Sequence, residues 1–455
     1  MTLEDEVASL RAENAQLRAL IAQLQDQLAA ALARIAELEQ QHQDPPPFVK
    51  PNRPPRPDPT PPRKKRAARH NQARRRETPT RTLDHALERC PECNYQLRGH
   101  SIDYTRQVIE LPEPPPVEII EHHIIKRFCP KCRRWRHPPL DLRGHVLGRG
   151  RIGVRLASLL AFLRTTLRLP LATIRRYLRS IHQLSLSVGG IQEVLHDLCA
   201  ATQPAQEGLK QQARRSRILH GDETSWRENG QSGYVWSFST PGEDAVRYYE
   251  YDPSRAQAVV KRLMGGQFSG HLVSDFYCGY NDYAGKHQRC WAHLLRDLHH
   301  LKEANPSARE VQDWAQAVQA SYDAAQAWLA AHAHAPPAER EAQYVSLTSQ
   351  THELGLRYAR VKAHPCQALA KRLLRHEDEL FQFVLVDGLS ADNNLAERAI
   401  RPLVVIRKIS GGSRSAEGTK TRMALASLFH TWQARGQNPF DECLKLLSQA
   451  AVSSA

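Results

Sequence analysis

The stretch RILHGDET (217–224) marks the point where the chain changes its period. Before it, apolar residues recur at the three-to-four spacing of helices; after it they alternate or run together, as in strands. RILHGDET itself reads as a short strand ending in acids. GYVWSFST (233–240) and AVRYYEYD (245–252) alternate, and the glycine-containing turns between these segments predict hairpins. SRAQAVVKRLMGG (254–266) reads as a helix with a glycine stop, and GHLVSDFYCGY (270–280) as a buried strand that again ends in an acid. The order is β-β-β-α-β, with Asp222 and Asp275 at the ends of the first and fourth strands.

That order opens a ribonuclease H-like fold, in which the first and fourth strands are neighbours, so Asp222 and Asp275 are expected to meet. A third acid, Glu397, lies in ADNNLAERAIRP (391–402). Asp392 or Asn393 suits a helix cap there, and Leu395, Ala399 and Leu403 recur at helical spacing. Taken singly, the two aspartates are strand-end caps and Glu397 is a surface acid with intrahelical ion pairs. Taken together, three converging carboxylates suit two divalent ions about 4 Å apart. Mg²⁺ (or Mn²⁺) is preferred, because it takes oxygen ligands and leaves positions for phosphate oxygens and water. Carboxylates so crowded should show raised, coupled proton affinities without the metal.

Working outward, residues 305 to 385 are rich in Ala, Gln and Glu and read as a helical insertion, bounded at about 303–388. HQRCWAH (287–293) spaces Cys290 between His287 and His293 as zinc ligands would be spaced; the simpler reading packs Cys290 and Trp291 in the core, with His293 near the three acids or a DNA backbone. Residues 150–215 read as a helical domain. Arg175, Arg176 and Arg179 there suit a helix-turn-helix DNA reader, and a plain three-helix bundle fits equally well.

The first part of the chain differs in kind. Residues 3 to 38 carry heptads, with Leu3, Leu10, Leu17, Leu24, Ala31 and Leu38 at d and Val7, Asn14, Ile21, Leu28 and Ile35 at a. This predicts a coiled-coil dimerisation helix over 1–42, with Asn14 favouring a parallel, in-register homodimer. Residues 43–84 are rich in proline and arginine and predict a disordered basic linker. From Lys50 to Arg81 there are twelve Lys and Arg against two acids. Arg63, Lys64, Lys65, Arg66, Arg74, Arg75 and Arg76 form the phosphate-binding arm this implies; a solubilising tether is the bland alternative. Then come CPEC (Cys90, Cys93) and, thirty-five residues later, CPKC (Cys129, Cys132). Four thiolates in two knuckles suit a structural, tetrahedral Zn²⁺ in a domain over 85–145, with His122, His123 and His137 as spare ligands. The alternating residues 104 to 128, with their proline-rich turn, predict a hairpin between the knuckles.

LHGDETSW, GHLVSDFYCGYND, HQRCWAHLLRDL and ADNNLAERAIRPLVVIRKISGGSRSAEG resemble, in order, the conserved blocks of the IS66-family transposases. The paired CxxC knuckles and the zipper match that family's layout, so the resemblance covers nearly the whole chain and is weakest in the linker. It implies a DDE triad of Asp222, Asp275 and Glu397, 53 and then 122 positions apart. The triad would sit in a ribonuclease H-like catalytic domain over 216–436, followed by a C-terminal helix and tail over 437–455. It also implies that Asn394 and Arg398 brace the Glu397 helix or a phosphate, and that Arg401 and Arg407 face DNA. SGGSRSAEG (410–418) reads as a flexible basic loop near the same DNA, or as a simple turn. Small accessory proteins of the same element are implied partners.

Composition agrees with this reading. The 455 residues are too many for one ordinary core, and 41% are hydrophobic. A net charge of +15 favours a polyanionic partner, double-stranded DNA before membrane. No apolar run approaches a membrane span, and MTLEDEVASL lacks a signal-peptide pattern, so a cytoplasmic protein is expected. The fold class expected is multidomain α+β. The activity expected is DNA cleavage and strand transfer. The rivals are a metal-dependent nuclease on the same fold that does not join, and a non-catalytic zinc-containing DNA-binding regulator.

Overall fold

The computed structural model describes residues 15–33, 76–114, 116–148, 150–265, 268–281, 283 and 285–449, and the chain divides into two units, 1–111 and 112–455. In the first unit, residues 15–33 form a helix, α1, exposed throughout. Its heptad residues Leu17, Ile21, Leu24 and Leu28 are each more than 50% open to solvent. The outer heptad positions, Asn14 among them, and Arg63, Lys64, Lys65, Arg66, Arg74 and Arg75 of the arm lie outside the described residues. Arg76 is described, and it donates to Thr105 Oγ1 at 2.7 Å. Cys90 and Cys93 sit on a tight turn, closed by Asn94 N–H to Cys90 O and Cys90 N–H to Tyr95 O, both 2.9 Å.

The second unit carries the other knuckle in a small antiparallel hairpin, β1 (Arg127–Cys129) and β2 (Arg134–Arg136). The hairpin predicted over 104 to 128 does not form. No strand occurs among the described residues from 104 to 126, and Val108, Ile109, Ile119 and Ile120 are exposed. Alternation alone does not make a strand: its rows of N–H and C=O need a partner, and that segment pairs with none among the described residues.

Four helices follow: α2 (Val154–Thr165), α3 (Leu171–His182), α4 (Val188–Ala201) and α5 (Gln203–Arg214). Pro170 stands just before α3, and Gln183 ends it in the left-handed conformation. Ser187 caps α4, its Oγ accepting from Gly190 N–H at 2.9 Å. α3 buries Ile174 and Leu178 and turns Arg175, Arg176 and Arg179 to solvent. The helices expected as a domain of their own share one core with the sheet that follows. Ala157, Leu160, Ile191 and Leu198 pack in the same cluster as Leu219, Trp236, Phe238 and Leu272.

The sheet is built from β3 (Ile218–Glu228), β4 (Gln231–Ser239), β5 (Arg247–Asp252), β6 (His271–Ser274) and β7 (Lys286–Arg289), with α6 (Gln257–Met264) between β5 and β6. Its order is β5-β4-β3-β6-β7. The first three strands are antiparallel, and β6 and β7 run parallel to β3. The sheet's first and fourth strands are therefore neighbours, as their order in the sequence implied. Two details differ from that reading. β3 runs on to Glu228, so Asp222 lies inside the strand; β4 pairs with it from His220 to Glu228 and keeps it extended. β7 is an additional strand of charged and polar residues.

The opposite face is covered by α7 (Trp291–Ala304) and the helical insertion: α8 (Arg309–Ala331), α9 (Pro337–Ala359), α10 (Gln367–Arg375), α11 (Glu377–Leu380) and α12 (Gln382–Leu385). There Ile218 and Val273 meet Trp291, Leu294, Trp314 and Phe381. Each such side chain contributes roughly 2–3 kcal/mol by leaving water. The chain ends with α13 (Asn394–Ser410), α14 (Ala416–Ala434) and α15 (Pro439–Gln449). Leu403, Ile406 and Met423 of α13 and α14 cover Trp226, Val235 and Tyr249 of the sheet. Among the described residues, no helix is long and apolar enough to cross a membrane.

Candidate active site

β3 pairs with β6 through Ile218–His271, Leu219–Leu272 and His220–Val273. Continuing that register two residues brings Asp222 level with Asp275, which follows the last residue of β6. In parallel strands, residues at one level point to the same face, so both aspartates belong to the face covered by α7 and α13. Each is tied to its own backbone: Glu223 N–H donates to Asp222 Oδ1 at 2.8 Å, and Tyr277 N–H donates to Asp275 Oδ1 at 3.0 Å.

Glu397 arrives in the first turn of α13. The residue that fixes this helix to the strand is Asn393. Its Nδ2 donates to Gly221 O at 2.7 Å, its Oδ1 lies 3.2 Å from His220 Nδ1, and its backbone N–H donates to Cys290 Sγ at 3.1 Å. Asn393 holds the cap position without a capping bond from its side chain, and Asp392 Oδ1, one residue earlier, accepts Asn394 N–H at 3.0 Å. Both residues had been candidates for the cap: Asn393 occupies it, and Asp392 supplies the side-chain bond at the helix start. His293 of α7 reaches the same place, its Nδ1 3.9 Å from Glu397 Oε1, and that buried nitrogen has no hydrogen-bond partner.

The electrostatics follow from this crowding. Burial pushes the Asp222 carboxyl up to about 7, and the charges of Glu223, Asp275 and Glu397 add to the effect. Burial also pulls His220 down to about 4, against the opposing pull of its Asn393 bond, so it stays a neutral strut. Glu223 points to the other face of the sheet. There Arg255 Nη2 donates to its Oε1 and Tyr280 O–H to its Oε2, each at 2.6 Å. Asp222 thus feels the charges of Glu223, Asp275 and Glu397. Among the described residues, however, no three His, Cys, Asp or Glu side chains are gathered into a cluster ready to hold a metal ion.

The basic residues divide. Arg398 and Arg401 are exposed on α13. Arg407 is bound to β3: its Nη1 donates to Thr224 Oγ1 at 2.9 Å and also to Ser225. The loop after α13 is stitched to the same strand by Ser413 N–H to Arg227 O at 2.8 Å and Asn229 N–H to Ser413 O at 2.9 Å. It is an anchored turn. Gly412 has φ +121°, and a Cβ there would stand 2.2 Å from Arg227 O, so glycine is required.

In HQRCWAH, the metal reading gives way to separate bonds. His287 Nε2 lies 2.8 Å from Ser274 Oγ, Cys290 Sγ accepts from Asn393, and Trp291 is fully buried. At each knuckle a backbone N–H lowers one thiol's proton affinity, that of Cys93 acting on Cys90 and that of Cys132 on Cys129. Sequence reading missed the roles of His220, Asn393 and the Glu223–Arg255–Tyr280 group. The only signal was the polar His220 at the start of HGDE, in an otherwise apolar strand.

Two comparisons bear on these residues. A family model described as Transposase IS66 family matches residues 149–421, which takes in Asp222, Asp275 and Glu397. The uncharacterized protein y4qI of Sinorhizobium fredii (strain NBRC 101917 / NGR234) is 26% identical over 216 residues. The match covers 45% of this chain and 40% of that relative's length.

Proposed function

The chain belongs to the IS66 transposase family, and on that premise we propose that it cuts and joins DNA at a DDE site made of Asp222, Asp275 and Glu397. The observation that carries the proposal is the parallel register of β3 and β6, which extended by two residues brings Asp222 level with Asp275, with the helix of Glu397 held to β3 by Asn393. The strand order β5-β4-β3-β6-β7 supports a ribonuclease H-like domain.

The donor chemistry fits a divalent cation such as Mg²⁺ or Mn²⁺. Asp222 is crowded by like charges, and oxygen ligands are what such an ion takes. When bound, the cation would supply Lewis-acid stabilisation of charge on the phosphate oxygens. The chain's own residues do the rest: Asn393 sets the helix, His220 supports it in neutral form, and Arg398 and Arg401 offer exposed charge for phosphates. The basic arm, Arg63 to Arg76, adds affinity for the DNA backbone. Cys90, Cys93, Cys129 and Cys132 bind structural zinc in this proposal, and two copies pair through the α1 stripe. The substrates are the ends of the chain's own element and a target duplex, with small accessory proteins of the element as further partners.

The test uses the full chain, Mg²⁺, a labelled duplex carrying the repeats that flank its gene, and a target plasmid, with Glu397→Gln alongside. Joined products from the wild type alone are expected. Cleavage without joining would replace the proposal with a nuclease. DNA binding with no chemistry in either protein would replace it with a regulator.

A further inference from the structure

A cavity separate from the three acids lies where α2 and α4 meet α13 and α14. Arg164 and Arg422, both half-buried, line it together with Gln192, Thr421 and Ile406, around a volume of about 20 Å³. Arg422 stacks over the Trp226 ring, 5.9 Å from its centroid, and its Nε is sealed from solvent with no hydrogen-bond partner. Arg164 donates one bond, from Nη1 to Leu169 O at 2.8 Å. Among the described residues, neither guanidinium takes part in an ion pair. The nearby polar groups bond one another: Thr421 Oγ1 lies 2.6 Å from His196 Nδ1, and Gln192 Nε2 lies 3.1 Å from His196 Nε2.

Two guanidiniums facing one cavity repel each other and are short of solvent. Burial lowers the proton affinity of both, that of Arg422 to about 9, with the charge of Arg164 adding to the effect there. Unpaired buried charge is costly, and a fold that needed only packing at these positions would be served by apolar residues. A ligand that is negative, compact and rich in acceptors removes that cost, because the planar forks of arginine match tetrahedral oxyanions.

We propose that this cavity is an oxyanion site in which Arg164 and Arg422 together hold one phosphate group, either of a nucleic-acid backbone or free in solution. The nucleic-acid alternative rests on the DNA-processing function proposed above; the site itself does not.

The experiment uses full-length wild type, Arg422→Met and Arg164→Met, so that one ill-folded variant does not decide the outcome. Melting is followed in potassium phosphate and in potassium chloride of equal ionic strength. Phosphate should raise the wild-type midpoint by about 2 °C more than that of either variant. In chloride the variants should melt no lower than the wild type, because an unpaired charge has been removed. Equal phosphate responses in all three proteins would overturn the site.

Duplex binding across a salt series then identifies the source. A salt slope reduced by about one in both variants assigns a DNA phosphate. Unchanged DNA binding with a lost phosphate response assigns a free oxyanion. If the wild type binds no duplex, the DNA-processing function fails while the phosphate measurement still decides the cavity.

Discussion

Asp222 and Glu223 are adjacent in one strand and are treated in opposite ways. Both are pushed toward the protonated form, first by burial. Glu223, on one face, receives Arg255 and the Tyr280 hydroxyl. Asp222, on the other, receives one backbone N–H and the repulsion of Asp275 and Glu397. A carboxylate that serves packing is given a cation by its own chain. One left among other carboxylates is suited to a cation that the chain does not contain. The comparison breaks if the two residues respond alike to removal of charge. Asp222→Asn should lower DNA cutting by roughly a thousandfold or more, read as labelled product per unit time. Glu223→Gln should leave cutting within about tenfold and cost about 1–2 kcal/mol in urea unfolding, a modest loss because the Arg255 side chain is 42% exposed.

The next contrast is between two adjacent asparagines at the start of α13. Asn393 is 1% exposed and joins helix to strand through Gly221 and His220. Asn394 is half-buried, and its side chain makes no hydrogen bond among the described residues. Asn393→Ala leaves a buried carbonyl and an imidazole without partners, and should cost about 3 kcal/mol. Asn394→Ala should stay within about 0.5 kcal/mol. Equal losses would mean that the helix is held by its apolar face alone, through Leu403 and Ile406.

These residues also show how much of the molecule was legible in sequence. The three antiparallel strands, α6 and β6 are spelled in apolar alternation and glycine stops, and Asp222 and Asp275 stand out because acids interrupt apolar runs. β7 was not legible: His287, Gln288 and Arg289 are all buried, yet their sequence KHQR looks like a surface turn. Its stability comes from partners distant in sequence. Arg289 pairs with Glu379 at 2.6 Å, and Gln288 bonds Leu380 O at 3.0 Å and Phe383 N–H at 3.0 Å. No window of local sequence contains both halves of such bonds. The same holds for Arg407, which the family resemblance placed toward DNA and whose bonds lie on β3. The failed hairpin near residue 110 is the converse case, a local pattern with no distant partner.

A smaller effect isolates the electrostatics of Asp222 from its chemistry. Its carboxyl holds a proton up to about pH 7 in the folded chain, against an ordinary value of 3.8. Between those values the folded state binds more protons than the unfolded one, so this group's contribution to stability is full below about pH 4 and is lost as pH rises through about 7. His220 and His430 act in the opposite sense. Burial holds both near 4, so they contribute above 6.5 and lose that contribution as pH falls. The wild-type profile therefore mixes the two, and the difference from Asp222→Asn separates them. In EDTA, wild type should lose on the order of 2 kcal/mol relative to Asp222→Asn between pH 5 and pH 8. Adding Mg²⁺ at pH 8 should restore most of it in the wild type alone, because in the proposed site the ion would bind the carboxylate that the proton has left. A flat difference between the two proteins would show Asp222 already compensated by its surroundings, and would erase its contrast with Glu223.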